Sequence, residues 1–124
     1  MAAIALNKFR TIRVPITTTN VGIYTCPIGV ASIILSAQVS NVSDDVGAAK
    51  STYRVTAIHA RDPDPFTGIV SFRLGYDIPV PPNDGINLVA DGRLVLETND
   101  AIQISANANS ALELILSVLE TAKQ

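Results

Sequence analysis

Residues 86–120, INLVADGRLVLETNDAIQISANANSALELILSVLE, restrict the possible folds of this chain more than any other stretch. They read as short apolar runs separated by two-residue turns. Asp91-Gly92 parts one run from the next, and Asn99-Asp100 parts that run from 101–108. Asx-Gly and Asx-Asx pairs between alternating segments signal hairpins, because Asn, Asp and Gly tolerate positive φ. A chain of this kind is an all-β packing module. The stretch holds no catalytic constellation, so the functional question becomes what the module binds.

Upstream segments carry the same period of two. In 9–19, Ile12, Val14, Ile16 and Thr18 share one face, against Thr11, Arg13, Pro15 and Thr17. Pro15 lacks an N–H and confines this strand to an edge or a bulge. A short strand over 21–26 stops at Pro27-Ile28-Gly29. In 31–39, Ala31, Ile33, Leu35, Ala37 and Val39 oppose Ser32, Ile34, Ser36 and Gln38. A polar loop over 43–50 leads to a β-prone run at 53–60, and RDPDPFTG over 61–68 must be loop. The cleanest alternation is 71–80, with Phe72, Leu74, Tyr76, Ile78 and Val80 on one face and Arg73, Gly75, Asp77 and Pro79 on the other.

The last segment, 111–121, carries two periods. Leu112, Ile115, Leu116 and Leu119 fit a helix, whereas Leu112, Leu114, Leu116 and Val118 fit a strand. Strand is the reading preferred here, because the preceding units are hairpin-like and a closing strand would cover a sheet edge. The expectation is a single antiparallel β-sandwich of about eight strands, with the jelly roll as a candidate arrangement. It would form one domain over 1–124, with residues 1–8 either an N-terminal arm or an edge strand.

Composition narrows the function. Charged residues make up 16% of the chain and hydrophobic ones 48%, whereas the usual charged share is about a quarter. Cores hold few charges, so the deficit falls on the surface. A charge-poor surface suits a subunit covered by partners; the plain alternative is a small uncharged monomer. The net charge is −2 and the nine Lys and Arg are scattered, which argues against nucleic-acid binding. No apolar run is long enough to span a membrane as a helix. Lys8 and Arg10 follow the apolar patch at 2–6, the reverse of signal-peptide order. A single cysteine, Cys26, excludes an internal disulfide framework and requires no oxidising compartment.

Residues that could carry chemistry are sparse. His59 is the one histidine, and a nucleophile–His–Asp triad needs a nucleophile that nothing near it announces. Cys26 lies far away in sequence and reads as a small buried apolar side chain. Asp62 and Asp64 could offer two oxygens to a hard cation, but the calcium-loop pattern is missing and turn capping accounts for them. No phosphate loop is present. No catalytic residue, cofactor or metal site is therefore expected. Tyr24, Tyr53, Tyr76, Phe9, Phe66 and Phe72 could line a sugar groove. With aromatics at 5% and no Trp, core packing is the preferred role.

Two segments together suggest a family. The first is Ile23-Tyr24-Thr25-Cys26-Pro27, then Gly29 and a strand over 31–42 that ends Ser40-Asn41-Val42. The second is GRLVLETNDAIQI over 92–104, then Ala106-Asn107 and the closing Ser117-Val118-Leu119-Glu120. Over 20–122 the chain resembles small structural proteins of tailed bacteriophage virions. There, elements reading IYT-P-G, I-LS-QV-NV, G-LVLE-GD-I and S-LE recur in this order. The family's Gly-Asp turn is Asn99-Asp100 here, a departure confined to a turn. The resemblance implies a non-enzymatic virion subunit, assembled in the host cytoplasm. It would act as a capsid decoration (cement) protein or a head-tail or tail accessory, binding other virion proteins and forming a homo-oligomer. Ala2, Ile4, Leu6 and Phe9 are the candidate partner-binding residues. The rival is a lectin-like carbohydrate-binding module on the virion surface.

Overall fold

The computed structural model describes residues 7–44, 51–89 and 93–122. Among these residues there are nine strands and no helix: β1 (Asn7–Ile16), β2 (Val21–Thr25), β3 (Val30–Asn41), β4 (Tyr53–Ala60), β5 (Ser71–Val80), β6 (Gly85–Asn87), β7 (Leu94–Leu96), β8 (Ala101–Ala106) and β9 (Leu112–Ala122). They form two antiparallel sheets. The first, sheet A, has the order β1-β9-β3-β6, with β7 also paired to β3; sheet B has the order β2-β8-β4-β5.

The pairing is nested. β1 pairs with β9, β2 with β8, β3 with β6 and β7, and β4 with β5. A long antiparallel ribbon folded once at β4–β5 and rolled up gives this pattern, and the additional β9–β3 and β8–β4 contacts close the roll into two sheets. This is the jelly-roll arrangement. The core lies between the sheets, where Ile16, Val39, Val55, Leu96, Leu112 and Val80 are fully buried.

β9 is a strand, and its inward side chains are those the alternation marks: Leu112, Leu114, Leu116 and Val118 are all buried. It does not close an edge, however. It lies in the middle of sheet A and pairs along most of its length with both β1 and β3. The edges of sheet A are instead β1, which carries Pro15, and the short β6 and β7. β1 begins at Asn7, so residues 7–8 belong to the edge strand, paired with Thr121 and Glu120. Residues 1–6 of the expected arm lie outside the described residues, as does the Asp91-Gly92 turn.

Two strands depart from simple alternation. In β3 the pairing with β9 shifts between Ile34 and Ser36, which leaves Leu35 without a partner across the ladder. One extra residue flips every later side chain to the opposite face. Ser32 and Ile34 point inward before the bulge, and Ala37, Val39 and Asn41 point inward after it. Ala31, Ile33 and Leu35 therefore do not share a buried face with Ala37 and Val39. β5 carries two such shifts against β4, and Asp77 adopts a φ of 54° there. Leu74, Ile78 and Val80 keep to the core side, while Phe72 and Tyr76 are exposed.

The central position of β9 makes a direct prediction. Leu116→Ala removes a core side chain and should cost about 2–5 kcal/mol. Ile115→Ala, one residue away on the outer face, should cost less than about 1 kcal/mol. Urea midpoints of the two variants measure the difference; equal costs would mean that the strand's register is wrong.

Candidate functional site

Two polar clusters are built into the sandwich. The first starts from Glu120, which continues the inward row of β9 past Val118 and is itself buried. Arg10 on β1 donates from Nε to Glu120 Oε1 at 2.8 Å. The Tyr24 hydroxyl donates to the other carboxylate oxygen. It also lies 2.7 Å from the Ser32 hydroxyl, which is 3.2 Å from Cys26 Sγ. Burial pushes the Glu120 carboxyl up, but hydrogen bonds from Tyr24 and Arg10 outweigh it and hold the carboxyl below its ordinary range. Burial, joined by the hydrogen bond to Glu120, pushes the Tyr24 phenol up to about 12.

The second cluster centres on Asp100. The turn before β8 has Asn99 at a φ of 71°, as an Asx turn residue allows. The Asp100 N–H donates to Glu97 O at 2.9 Å, and the Glu97 N–H donates back to Asp100 Oδ2 at 2.9 Å. Arg61 Nε and Nη2 reach the two Asp100 oxygens at 2.7 Å each, the bidentate geometry that makes such pairs strong. His59 Nε2 lies 3.2 Å from Asp100 Oδ2, and Glu97 Oε2 meets Arg61 Nη2 at 2.7 Å. Burial raises the Asp100 carboxyl, but Arg61 and the Glu97 N–H more than offset it, so the group sits below the usual carboxylate range.

Among the described residues, neither cluster hydrogen-bonds a serine or cysteine nucleophile to its carboxylate. A histidine held by a carboxylate resembles two-thirds of a triad, but the triad needs a nucleophile on the other ring nitrogen. Cys26 does not supply one: it is fully buried, with its sulfur against the carbonyls of Val30 and Leu96. Both carboxylates spend their oxygens on partners within the chain. The cavity between the sheets measures about 10 Å³ and is lined by apolar residues such as Ile23, Leu74 and Leu88; the larger spaces are open surface grooves, about 180 Å³ beside Arg61 and Asp100 and about 440 Å³ beside Phe72 and Arg73. Among the described residues, no three His, Cys, Asp or Glu gather closely enough to hold a metal.

What the second cluster does is position a loop. Arg61 opens the 61–70 segment, and its N–H donates to Val70 O at 2.7 Å, closing the base. Inside, Asp64 Oδ1 accepts from the N–H of Phe66 at 2.8 Å and of Thr67 at 3.3 Å. The Gly68 N–H donates to Asp64 O at 3.1 Å. The braced tip carries apolar side chains into solvent: Phe66 is 85% exposed, and Ile69 and Val70 are exposed beside it. On β5, Phe72 and Tyr76 are also exposed, with the Arg73 guanidinium 4.1 Å from the Tyr76 ring centre.

This placement corrects the expected role of the aromatics. Tyr24 is in the core and Tyr53 packs against it, but Phe9, Phe66, Phe72 and Tyr76 are all exposed. Phe9 is 73% exposed on β1; Ala2, Ile4 and Leu6 lie outside the described residues. The signal for Phe66 was present in the sequence, since a Phe between prolines and a Gly in a loop is on the surface by default. The signal for Glu120 was its parity with Leu112 through Val118.

No protein-family model and no curated protein matches the chain. Two solved structures contain chains of similar fold. One, from the Bacillus endospore appendages that form disulfide-linked pili, aligns over 100% of this chain and 98% of its own, at a TM-score of 0.52 and 13% identity. The other, from the acidic stable capsid of Helicobacter pylori bacteriophage KHP30, aligns over 97% of this chain and 90% of its own, at a TM-score of 0.56 and 11% identity. At these identities the likeness is one of fold.

The clusters set the pH range of the fold. Asp100 and Glu120 titrate lower when folded than the ~3.9 and ~4.3 of unfolded chains, so their contribution is present above those values and is lost as the pH falls through the folded ones. Tyr24 works in the opposite sense: its contribution is present below about pH 10 and is lost as the pH rises toward its folded value. The melting temperature should therefore hold between about pH 5 and 9.5 and fall on both sides. Asp100→Ala should lower the plateau, because it removes the bidentate partner of Arg61 and leaves only Glu97 on that guanidinium, and should flatten the acid limb. Circular-dichroism melts across pH measure both effects; an acid limb unchanged in the variant would contradict the assignment.

Proposed function

We propose that this chain is a non-catalytic structural subunit of a tailed-phage virion. In this reading it binds other virion proteins as a capsid decoration (cement) protein or as a head-tail or tail accessory, and it associates with copies of itself. The observation that carries the proposal is the braced 61–70 loop, whose hydrogen bonds hold Phe66 out in water. A monomer gains nothing from a rigid exposed Phe. An interface gains a preorganised aromatic anchor, which loses little entropy on binding.

Other observations support the same reading. The low charged content now has a location, since large apolar side chains such as Phe9, Ile28, Phe66 and Tyr76 occupy the surface. Both chains of similar fold come from polymeric assemblies, a capsid and a pilus. The capsid is the better analogue. A disulfide-linked polymer needs at least two cysteines per subunit, and this chain has one, fully buried. The motifs over 20–122 point the same way. Ala2, Ile4 and Leu6, which precede Asn7 in sequence, are proposed to dock on a neighbouring subunit.

A carbohydrate-binding role has one observation in its favour, the exposure of Phe72 and Tyr76 on β5. Against it, Arg73 already covers one face of the Tyr76 ring. Reproducible binding on a glycan array, lost in Tyr76→Ala, would support that role.

The virion proposal is tested with Phe66→Ser and with a chain lacking residues 1–6. A central aromatic anchor contributes about 2 kcal/mol or more, so Phe66→Ser should bind particles about 30-fold more weakly at an unchanged melting temperature. Removal of 1–6 should likewise reduce incorporation with little effect on melting. Full incorporation of both variants would contradict the proposal.

A further inference from the structure

The outer face of sheet A is almost free of charge. On β1 the outward positions are Asn7, Phe9, Thr11, Arg13 and Pro15; on β9 they are Glu113, Ile115, Ser117, Leu119 and Thr121. None of these ten is buried. Cross-strand pairing lines up an apolar row over four strands: Phe9 faces Leu119, Leu119 faces Ile33, and Ile33 faces Val95. Phe9 and Val95, at its two ends, are 73% and 55% exposed. The next row is small hydroxyls, with Thr11 opposite Ser117 and Ser117 opposite Ser36. Solvent-facing sheet surfaces ordinarily carry polar and charged side chains in these positions. Along β1, β9 and β3 this one carries a single cation, Arg13, and a single anion, Glu113.

We infer that this face packs against the same face of a second copy of the chain, about a two-fold axis. Size allows it. Strands of 10, 11 and 12 residues, with β7 beside them, present about 600 Å² at ~3.3 Å per residue and ~4.8 Å between strands, close to the ~800 Å² per partner of a stable interface. Sheet-on-sheet packing is also how the two sheets of the sandwich already meet. Charge selects the partner. Arg13 and Glu113 lie on adjacent strands, diagonal to each other, and neither forms an ion pair with another described residue. A two-fold contact is reciprocal, so setting Arg13 of one copy over Glu113 of the other makes two ion pairs at once. Two of the sheet edges are poor alternatives: β1 carries Pro15, and the two register shifts of β5 bend that edge away from a flat neighbour.

This inference rests on the reading of the chain as an assembly subunit, and the two fail separately, because the face is tested in solution and the virion role on particles. Sedimentation of the purified full chain over a concentration series should show a dimer, twice 13.1 kDa. Phe9→Lys and Val95→Lys should each halve that mass without changing the melting temperature. Arg13→Glu and Glu113→Arg should each dissociate the dimer, and the double variant R13E/E113R should restore it. A wild-type chain that is monomeric throughout, a dimer indifferent to Phe9→Lys, or a double variant that stays monomeric would each overturn the inference, even if the chain is found in virions.

Discussion

Strand β9 is bonded on both sides, to β1 and to β3, and its inward row from Leu112 to Val118 is buried. The rest of the sandwich depends on that placement. Strand β1 joins sheet A through its ladder with β9, which lies between it and β3. The core is filled from one side by the β9 row and from the other by Val55, Ile102 and Ile104. The same row ends at Glu120, so the strand that completes the core also brings a carboxylate into it.

That carboxylate and Asp100 show how a small jelly roll uses buried charge. Each is held by an arginine and further hydrogen bonds, and among the described residues no buried side-chain polar atom lacks a partner. Glu120 ties β1, through Arg10, to Tyr24 at β2, and so joins an edge of sheet A to sheet B. Asp100 ties the start of β8 to the end of β4 and to the loop beyond it. A buried pair of this kind adds little net stability compared with apolar packing, but breaking it is costly. What it adds is position, and the position it sets is that of the 61–70 loop and its exposed Phe66.

Much of this was legible in the sequence, and the boundary has physical causes. Period-two alternation and Asx turns are local, so strands β2, β4, β8 and β9 fall within two residues of where the pattern puts them, while β1 runs over 7–16 and not 9–19. The bulge at Leu35 is not local. It depends on how β3 sits against β9, and nothing in VASIILSAQVSN marks it. The shifts in β5 likewise turn Tyr76 out of a face that alternation assigned to the core. Asp100 looked like turn chemistry because its partner Arg61 is 39 residues away. Core packing holds for Tyr24 and Tyr53 but not for Phe66, Phe72 and Tyr76, because low aromatic content says how many rings there are and not where they lie.

A fold with guarded edges, satisfied buried charges, a negligible internal cavity and exposed apolar groups on rigid elements is suited to holding other proteins. The most direct measurement of the proposed virion role is quantitative mass spectrometry and cryo-electron microscopy of tailed-phage particles assembled in cells that express this chain. The account predicts the chain in fixed, multiple copies, with density for the sandwich contacting its neighbours through the 61–70 loop. Particles that lack the chain, or that carry it in variable trace amounts with no ordered density, would contradict it.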